Sequence, residues 1–217
     1  MVLVACERAQ GYVDNQGMNS TLQRPAGEVA FGRQKACVLS LALVAGLAGC
    51  SPALNWRSIS VPEADLNVML PCKPDEAQRT VELAGAATEL AMVGCEADGA
   101  VFAVSYTTVA DPALVGKALA HWRAAVIANL RPQDSVTGRV PATDAPFTPH
   151  GALALPQSVR TVVHGQRPDG SAVMAQAVWF ARASGPRIRL YHAVVYTTKP
   201  RTELADQFFA GLLLPHV

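Results

Sequence analysis

The sequence has no excess of charge of either sign, since 18 Lys and Arg residues stand against 17 Asp and Glu residues in 217 positions. Charged residues make up only 16% of the chain. Binding of nucleic acid through bulk positive charge needs a surplus of Lys and Arg, and a charge-driven disordered chain needs many more charges. The composition argues against both classes, and we predict no nucleic-acid partner.

Aromatic residues and catalytic motifs are also scarce. Phe, Trp and Tyr together are 6% of the residues, too few for an aromatic binding platform along the chain. A Gly-x-Ser-x-Gly elbow, a His-Glu-x-x-His pattern and a Gly-rich phosphate loop are all missing from the sequence. We therefore predict no cofactor and no enzymatic activity. An enzyme that acts on the cell wall through scattered carboxylates or a Ser/His pair stays an alternative.

No apolar run is long enough to cross a bilayer. The longest extends from Ala36 to Ala48 without a charge, and Arg33 and Lys35 precede it. A membrane-spanning helix needs about 20 apolar residues. The length and the flanking charges favour the hydrophobic region of a secretory signal. A buried core helix and a short membrane anchor are the alternatives.

The apolar run ends in Leu47-Ala48-Gly49-Cys50, which resembles the lipobox of bacterial lipoprotein precursors. The resemblance implies that residues 1–49 are a signal peptide, and that Cys50 becomes the acylated first residue of the mature chain. Two or more acyl chains anchor a protein stably, at about 0.8 kcal/mol per buried methylene. Ser51, where an Asp would signal retention in the inner membrane, implies the periplasmic face of the outer membrane.

The signal peptide is unusually long if translation starts at Met1. A start at Met18 leaves a leader of ordinary length, so residues 1–17 are interpreted as an over-extended start. Residues 50–55 are predicted to form a lipidated tether, and residues 56–217 a single globular domain. Four basic and three acidic residues precede Cys50, which leaves fourteen of each sign in the exported part.

The five cysteines divide according to this processing. Cys6 and Cys37 leave with the signal peptide and Cys50 carries lipid, so Cys72 and Cys95 remain. An even number of cysteines in an oxidising compartment predicts a Cys72–Cys95 disulfide. Two free thiols, or a two-cysteine metal site with further ligands elsewhere, are the alternatives.

The exported part predicts an α+β fold with an antiparallel sheet flanked by two helices. One helix is expected from Pro112 to Asn129 and the other from Thr202 onward. Turn residues and Pro bound the predicted strands, at Arg57–Val61, Leu66–Leu70, Gln78–Leu83, Thr88–Gly94, Val101–Thr107, Ser158–Gly165, Ser171–Arg182 and Arg187–Thr198.

Each half of this domain reads as strands followed by a helix. Val104-Ser105-Tyr106-Thr107-Thr108 precedes the first helix, and Val194-Val195-Tyr196-Thr197-Thr198 precedes the second. An internal duplication would explain the match, and so would two ordinary strand ends. Residues 131–150 contain four prolines and are predicted to be a long surface connection.

A second resemblance rests on residues 60–130. Leu70-Pro71-Cys72-Lys73-Pro74, a following hairpin, the strand with Val104-Ser105-Tyr106 and then a helix resemble small Mog/PsbP-like domains of bacterial lipoproteins. The resemblance implies an antiparallel sheet flanked by helices, and mostly binding or assembly roles. It implies no catalytic residues.

Two groups of side chains and one space in the fold are candidates for further sites. His164 and His192 lie on neighbouring predicted strands, where a metal or proton-transfer role competes with an ordinary strand position. Arg182, Arg187 and Arg189, with Arg139 and Arg160, form either a basic patch for phosphate or peptidoglycan or a solvated hairpin end. Finally, a small apolar ligand would fit between the sheet and the helix of residues 112–130.

These features together predict a lipid-anchored envelope lipoprotein. We expect it to bind the membrane through the lipid on Cys50 and to serve as a non-catalytic binding or assembly module for an envelope protein partner. A carrier or sensor of a small apolar ligand is the alternative.

Overall fold

The computed structural model describes residues 53–132 and 140–215, which form an α+β fold with two antiparallel sheets. The strands are β1 (Arg57–Val61), β2 (Leu66–Leu70), β3 (Asp75–Leu83), β4 (Ala86–Ala97), β5 (Ala100–Val109), β6 (Ala142–Pro146), β7 (Val159–Gln166), β8 (Ala172–Ser184) and β9 (Arg187–Thr197). The α-helices are α1 (Val115–Ala128) and α2 (Thr202–Ala210). The predicted fold class, an antiparallel sheet flanked by two helices, is confirmed.

Strands β1 and β2 pair as a two-stranded sheet, and the other seven form one sheet in the order β3-β4-β5-β9-β8-β7-β6. Every neighbouring pair of strands is antiparallel. The two halves of the chain meet in the middle, where Val104 of β5 lies opposite Ala193 of β9. Strands β3 and β6 are therefore the two edges of the large sheet.

One helix packs on each face of the large sheet. On one face, α2 and the β1–β2 hairpin bury the first core, which includes Leu66, Phe102 and Phe208. On the other face, α1 buries the second core, which includes Leu119 and Trp179. The order of strands and then a helix holds in both halves, but the two helices cover opposite faces.

Helix α1 begins as its sequence predicts. The Asp111 side chain accepts a hydrogen bond from the Ala113 amide, and a short 3₁₀ turn, Pro112–Leu114, leads into the helix. An acceptor at this position satisfies an amide that has no partner within the helix. The apolar stripe then points at the sheet and is buried, through Val115, Ala118, Leu119, Trp122 and Val126.

Two segments outside the predicted strands take part in the fold. The connection 131–150 contains a strand, β6, because Ala142–Pro146 pairs with β7 although all five of its residues are exposed. The described end of the predicted tether is joined to the body rather than free. Leu54 packs against the first core, and the Asn55 amide donates to the Pro71 carbonyl at 2.8 Å.

The turn between β3 and β4 contains a strained residue. Ala84 has a φ of 56° and Gly85 a φ of 91°, and the Ala84 amide donates to Nδ1 of His121 on α1 at 2.9 Å. A left-handed conformation costs a non-glycine residue roughly 1–2 kcal/mol. Glycine at this position would avoid the cost, but it also makes the unfolded chain more flexible, which offsets part of the gain in stability.

We expect Ala84→Gly to raise the free energy of unfolding by roughly 0.5–1 kcal/mol, measured by denaturant titration. Ala87→Gly is the matched control, since Ala87 is an exposed residue of the regular strand β4. There the same change should lower the free energy of unfolding by a similar amount. Destabilisation by both changes would contradict the interpretation.

Candidate functional site

The predicted anchor lies outside the described residues. The signal peptide 1–49, the start at Met18, Cys50 and Ser51 all fall there. Arg139, a predicted member of the basic patch, also lies outside the described residues. The described chain begins at Ala53, three residues after Cys50. Covalent geometry limits three residues to a span of about 11 Å.

The predicted Cys72–Cys95 disulfide is confirmed. The two Cα atoms are 5.9 Å apart, and the bond joins residues 23 positions apart in the sequence. Cys72 follows β2 and Cys95 lies in β4, where its side chain is only 8% exposed. The bond therefore fastens the end of the β1–β2 hairpin to the large sheet.

His192 lies within the second core rather than at a surface site. Its ring stacks on Trp179 with the ring centroids 4.8 Å apart, and the ring of Trp122 is 5.5 Å away. Nε2 is buried and has no hydrogen-bond partner among the described residues. Burial, with a smaller contribution from the positive charge of Arg79, lowers the pKa of His192 to about 3. The imidazole is therefore neutral at ordinary pH and serves as a packing group.

The prediction that His164 and His192 lie on neighbouring strands is wrong. His164 is on β7 and His192 on β9, and β8 lies between these strands. Across that sheet His164 is level with Met174 and Thr197, five residues from His192. Within residues 53–132 and 140–215, no three His, Cys, Asp or Glu side chains are placed to hold a metal ion.

Near the β8–β9 turn, Arg182 and Arg189 contact other parts of the fold, whereas Arg187 is exposed. Arg182 is buried and donates to the carbonyl of Pro215 at 2.5 Å. Arg189 forms an ion pair with Asp65, whose carboxylate also accepts from Ser184 at 2.9 Å. The Tyr191 hydroxyl donates to the Ala64 carbonyl at 2.7 Å. These groups fasten the turn after β1 and the end of the described chain to the large sheet.

Arg160 is separate from this network and belongs to a surface groove of about 440 Å³. Its guanidinium pairs with Asp206 of α2 at 2.6 Å, donates to Gln176 at 2.5 Å and lies over the ring of Phe209. These contacts hold α2 against β7 and β8. Sequence reasoning missed them because Asp206 and Gln176 reach Arg160 only through the fold.

The predicted space for an apolar ligand beneath α1 is filled by side chains. Leu119 is fully buried, and Trp122 and Val126 are each 7% exposed. They pack on Ala103, Trp179, Leu190 and Val194 of the sheet, all of them members of the second core. These side chains make up the interface between α1 and the sheet.

The one adjacent pair of carboxylates also lacks catalytic geometry. Asp75 and Glu76 are consecutive residues of β3 and both are exposed. Successive side chains of a strand point to opposite faces, so these two carboxylates do not converge on one substrate.

Among the described residues, no helix is long and apolar enough to cross a membrane.

Comparison with known proteins gives a distant likeness to a solved structure. No family model matches the chain, and no curated protein matches it. A solved structure, the protein of unknown function PA94 from Pseudomonas aeruginosa, for which a regulatory role has been suggested, is 16% identical. The match covers 75% of this chain and 98% of PA94, with a TM-score of 0.35.

Proposed function

We propose that this protein is a lipid-anchored lipoprotein of the cell envelope, with the acyl chains on Cys50 and the body at the periplasmic face of the outer membrane. Leu47-Ala48-Gly49-Cys50 at the end of a charge-free run is the motif behind the proposal. The observation that carries it is the Cys72–Cys95 disulfide. Structural disulfides belong to oxidising compartments such as the bacterial periplasm and are rare in the cytosol.

The body serves as a non-catalytic binding or assembly module. Both cores are packed, and the space beneath α1 is closed by Leu119, Trp122 and Val126. Recognition therefore takes place on the outer surface. The short chain between Cys50 and Ala53 keeps that surface close to the bilayer, which suits a partner that is itself in the envelope.

The anchor is tested by labelling with radioactive palmitate. We expect the wild-type chain to carry label and to sediment with the outer membrane, with a mature mass that shows cleavage before Cys50. Cys50→Ala should lose the label completely and accumulate as the uncut precursor, because it lacks the thiol that accepts the lipid.

Cys37→Ala is the matched control, since it removes a cysteine from the apolar run and leaves the lipobox unchanged. This variant should be labelled like the wild type. An unlabelled wild-type chain, or an intact precursor found soluble in the cytosol, would contradict the proposed anchor.

A further inference from the structure

We propose that the outer edge of β3 binds an extended basic segment of an envelope partner, which adds to the large sheet as an eighth strand. This inference rests on the proposed role as a binding module and names the chemistry of the partner. Its basis is the free backbone of β3, the exposed surface beside it and the acidic side chains on that surface.

Turn geometry determines which backbone groups of β3 point outward. The two-residue turn Ala84–Gly85 has positive φ at both residues, and Leu83 and Ala86 form the pair that closes it. In such a hairpin the closing pair is hydrogen-bonded, and hydrogen-bonded pairs then recur at every second residue. The N–H and C=O groups of the intervening residues point away from β4, at Glu76, Gln78, Thr80 and Glu82. No described residue pairs with them.

The opposite edge of the sheet is protected, which makes β3 the accessible edge. Strand β6 has only five residues, follows Pro141 and ends at Pro146. It is also held from α1, because Arg123 donates to both oxygens of Asp144 at 2.7 Å. Short, proline-flanked strands resist pairing, whereas β3 has nine residues and contains no proline.

The side chains of the same four β3 residues lie on an exposed part of the sheet. Glu76 is opposite Val93, so these side chains share the face that carries the first core. All four are nevertheless exposed, as are Ala87 and Glu89 beside them on β4. Helix α2 and the β1–β2 hairpin thus leave this part of the face uncovered, and we call these six residues the β3 surface.

The β3 surface is acidic and carries no basic residue. Glu76, Glu82 and Glu89 are its charged members. Burial raises the pKa of the nearby Tyr106 hydroxyl, the charges of Glu63 and Glu76 raise it further, and the charge of Arg189 lowers it. Opposite charges placed across neighbouring strands stabilise pairing and like charges oppose it.

This charge pattern distinguishes between occupants. Pairing of two copies through β3 would bring two acidic surfaces together, which disfavours a second copy of this chain. A basic strand is complementary, with Lys or Arg opposite Glu76 and Glu82. Because strand partners keep register, these two basic residues would be six positions apart in the partner segment.

The test uses the full chain, purified from membranes in detergent, and a blocked nine-residue peptide of alternating Thr and Val with Lys at its second and eighth positions. At saturation this peptide should slow amide hydrogen exchange at Gln78 and Thr80 at least tenfold. A matched peptide with Glu in place of both Lys residues should bind roughly tenfold more weakly.

Two variants of β3 separate the backbone from the charges. Thr80→Pro removes an outward N–H and keeps the bonds to β4, so it should weaken binding of the Lys peptide at least tenfold. The double variant Glu76→Lys and Glu82→Lys should prefer the Glu peptide, and it tests the inference even if Thr80→Pro does not fold. Glu96→Lys is the matched control, because Glu96 is an exposed acid of β4 away from the β3 surface, and it should bind like the wild type.

No protection at Gln78 and Thr80 with the Lys peptide present, or equal binding of both peptides, would overturn the inference. A dimer of this chain would also overturn it, if Thr80→Pro abolishes the dimer and the Lys peptide does not displace it. The last result would assign the edge to a second copy. The palmitate label is read on the same preparation. Missing label with intact peptide binding counts against the anchor alone, and missing binding with intact label counts against the edge alone.

Discussion

Acidification from pH 7 to pH 4 is expected to cost about 3 kcal/mol of folding free energy through the single side chain of His192. An unfolded histidine titrates near pH 6.5, whereas burial lowers the pKa of His192 to about 3 in the folded protein. Between about pH 6.5 and pH 3, His192 is protonated in the unfolded chain and neutral in the folded chain. Stability is therefore complete above pH 6.5 and falls steadily as the pH decreases toward 3.

The surroundings of His192 explain why the folded protein does not accept the proton. The ring lies between Trp122 and Trp179, and its Nε2 has no described acceptor. Its cross-strand neighbours at the same level are Ser105 and Trp179, which carry no charge. The charged group that acts on it, Arg79, is positive and opposes protonation further.

The effect is isolated by comparing the wild type with His192→Phe, which keeps a ring and does not titrate. The difference in their free energies of unfolding, measured by denaturant titration, should shift by about 3 kcal/mol in favour of the variant between pH 7 and pH 4. His164→Phe is the matched control, because His164 is exposed on β7. A pH-independent difference between wild type and His192→Phe would show that the imidazole is not buried in the neutral form.

Removal of the disulfide is expected to lower the free energy of unfolding by about 3 kcal/mol. The bond joins Cys72 to Cys95, 23 positions apart in the sequence, and breaking it releases chain entropy in the unfolded state. The loss should appear first in the β1–β2 hairpin, because the bond fastens the end of that hairpin to β4. Denaturant titration of the double variant Cys72→Ala and Cys95→Ala measures the effect.

A reductant provides the control for this prediction. It should destabilise the wild type by about the same amount as the double substitution and leave the double variant unchanged. Hydrogen exchange of Val68 and Leu70, both fully buried in β2, should increase more than that of Val178 in β8. A loss of stability below about 1 kcal/mol would mean that packing alone fixes the hairpin.

Most strands could be predicted because prolines and tight turns mark their ends. Pro62 and Pro71 bound β2 with its neighbouring turn, and Asp98–Gly99 joins β4 to β5 with positive φ at both residues. Strand β6 could not be predicted from composition, since its five exposed residues show no apolar alternation. It is a strand because β7 supplies backbone partners and Arg123 holds Asp144.

The candidate sites were harder to predict, since they depend on strand order. A joint site of His164 and His192 would need β7 and β9 to be neighbours, but β8 separates them. Arg189 reads as a free surface charge until the fold brings Asp65 to it. By contrast, the pairing of Cys72 with Cys95 needed only a count of cysteines and a compartment, so it could be predicted.

The pairing of β5 with β9 has a consequence for how this chain acquires its structure. These central strands are separated by the whole of α1, β6, β7 and β8 along the chain, so the middle of the sheet closes only after the last strand is available. Topologies dominated by such distant contacts fold in milliseconds to seconds rather than microseconds. Until β9 is available, the β3–β4–β5 meander would therefore have one edge of β5 unpaired, which makes holding by a chaperone advantageous at that stage.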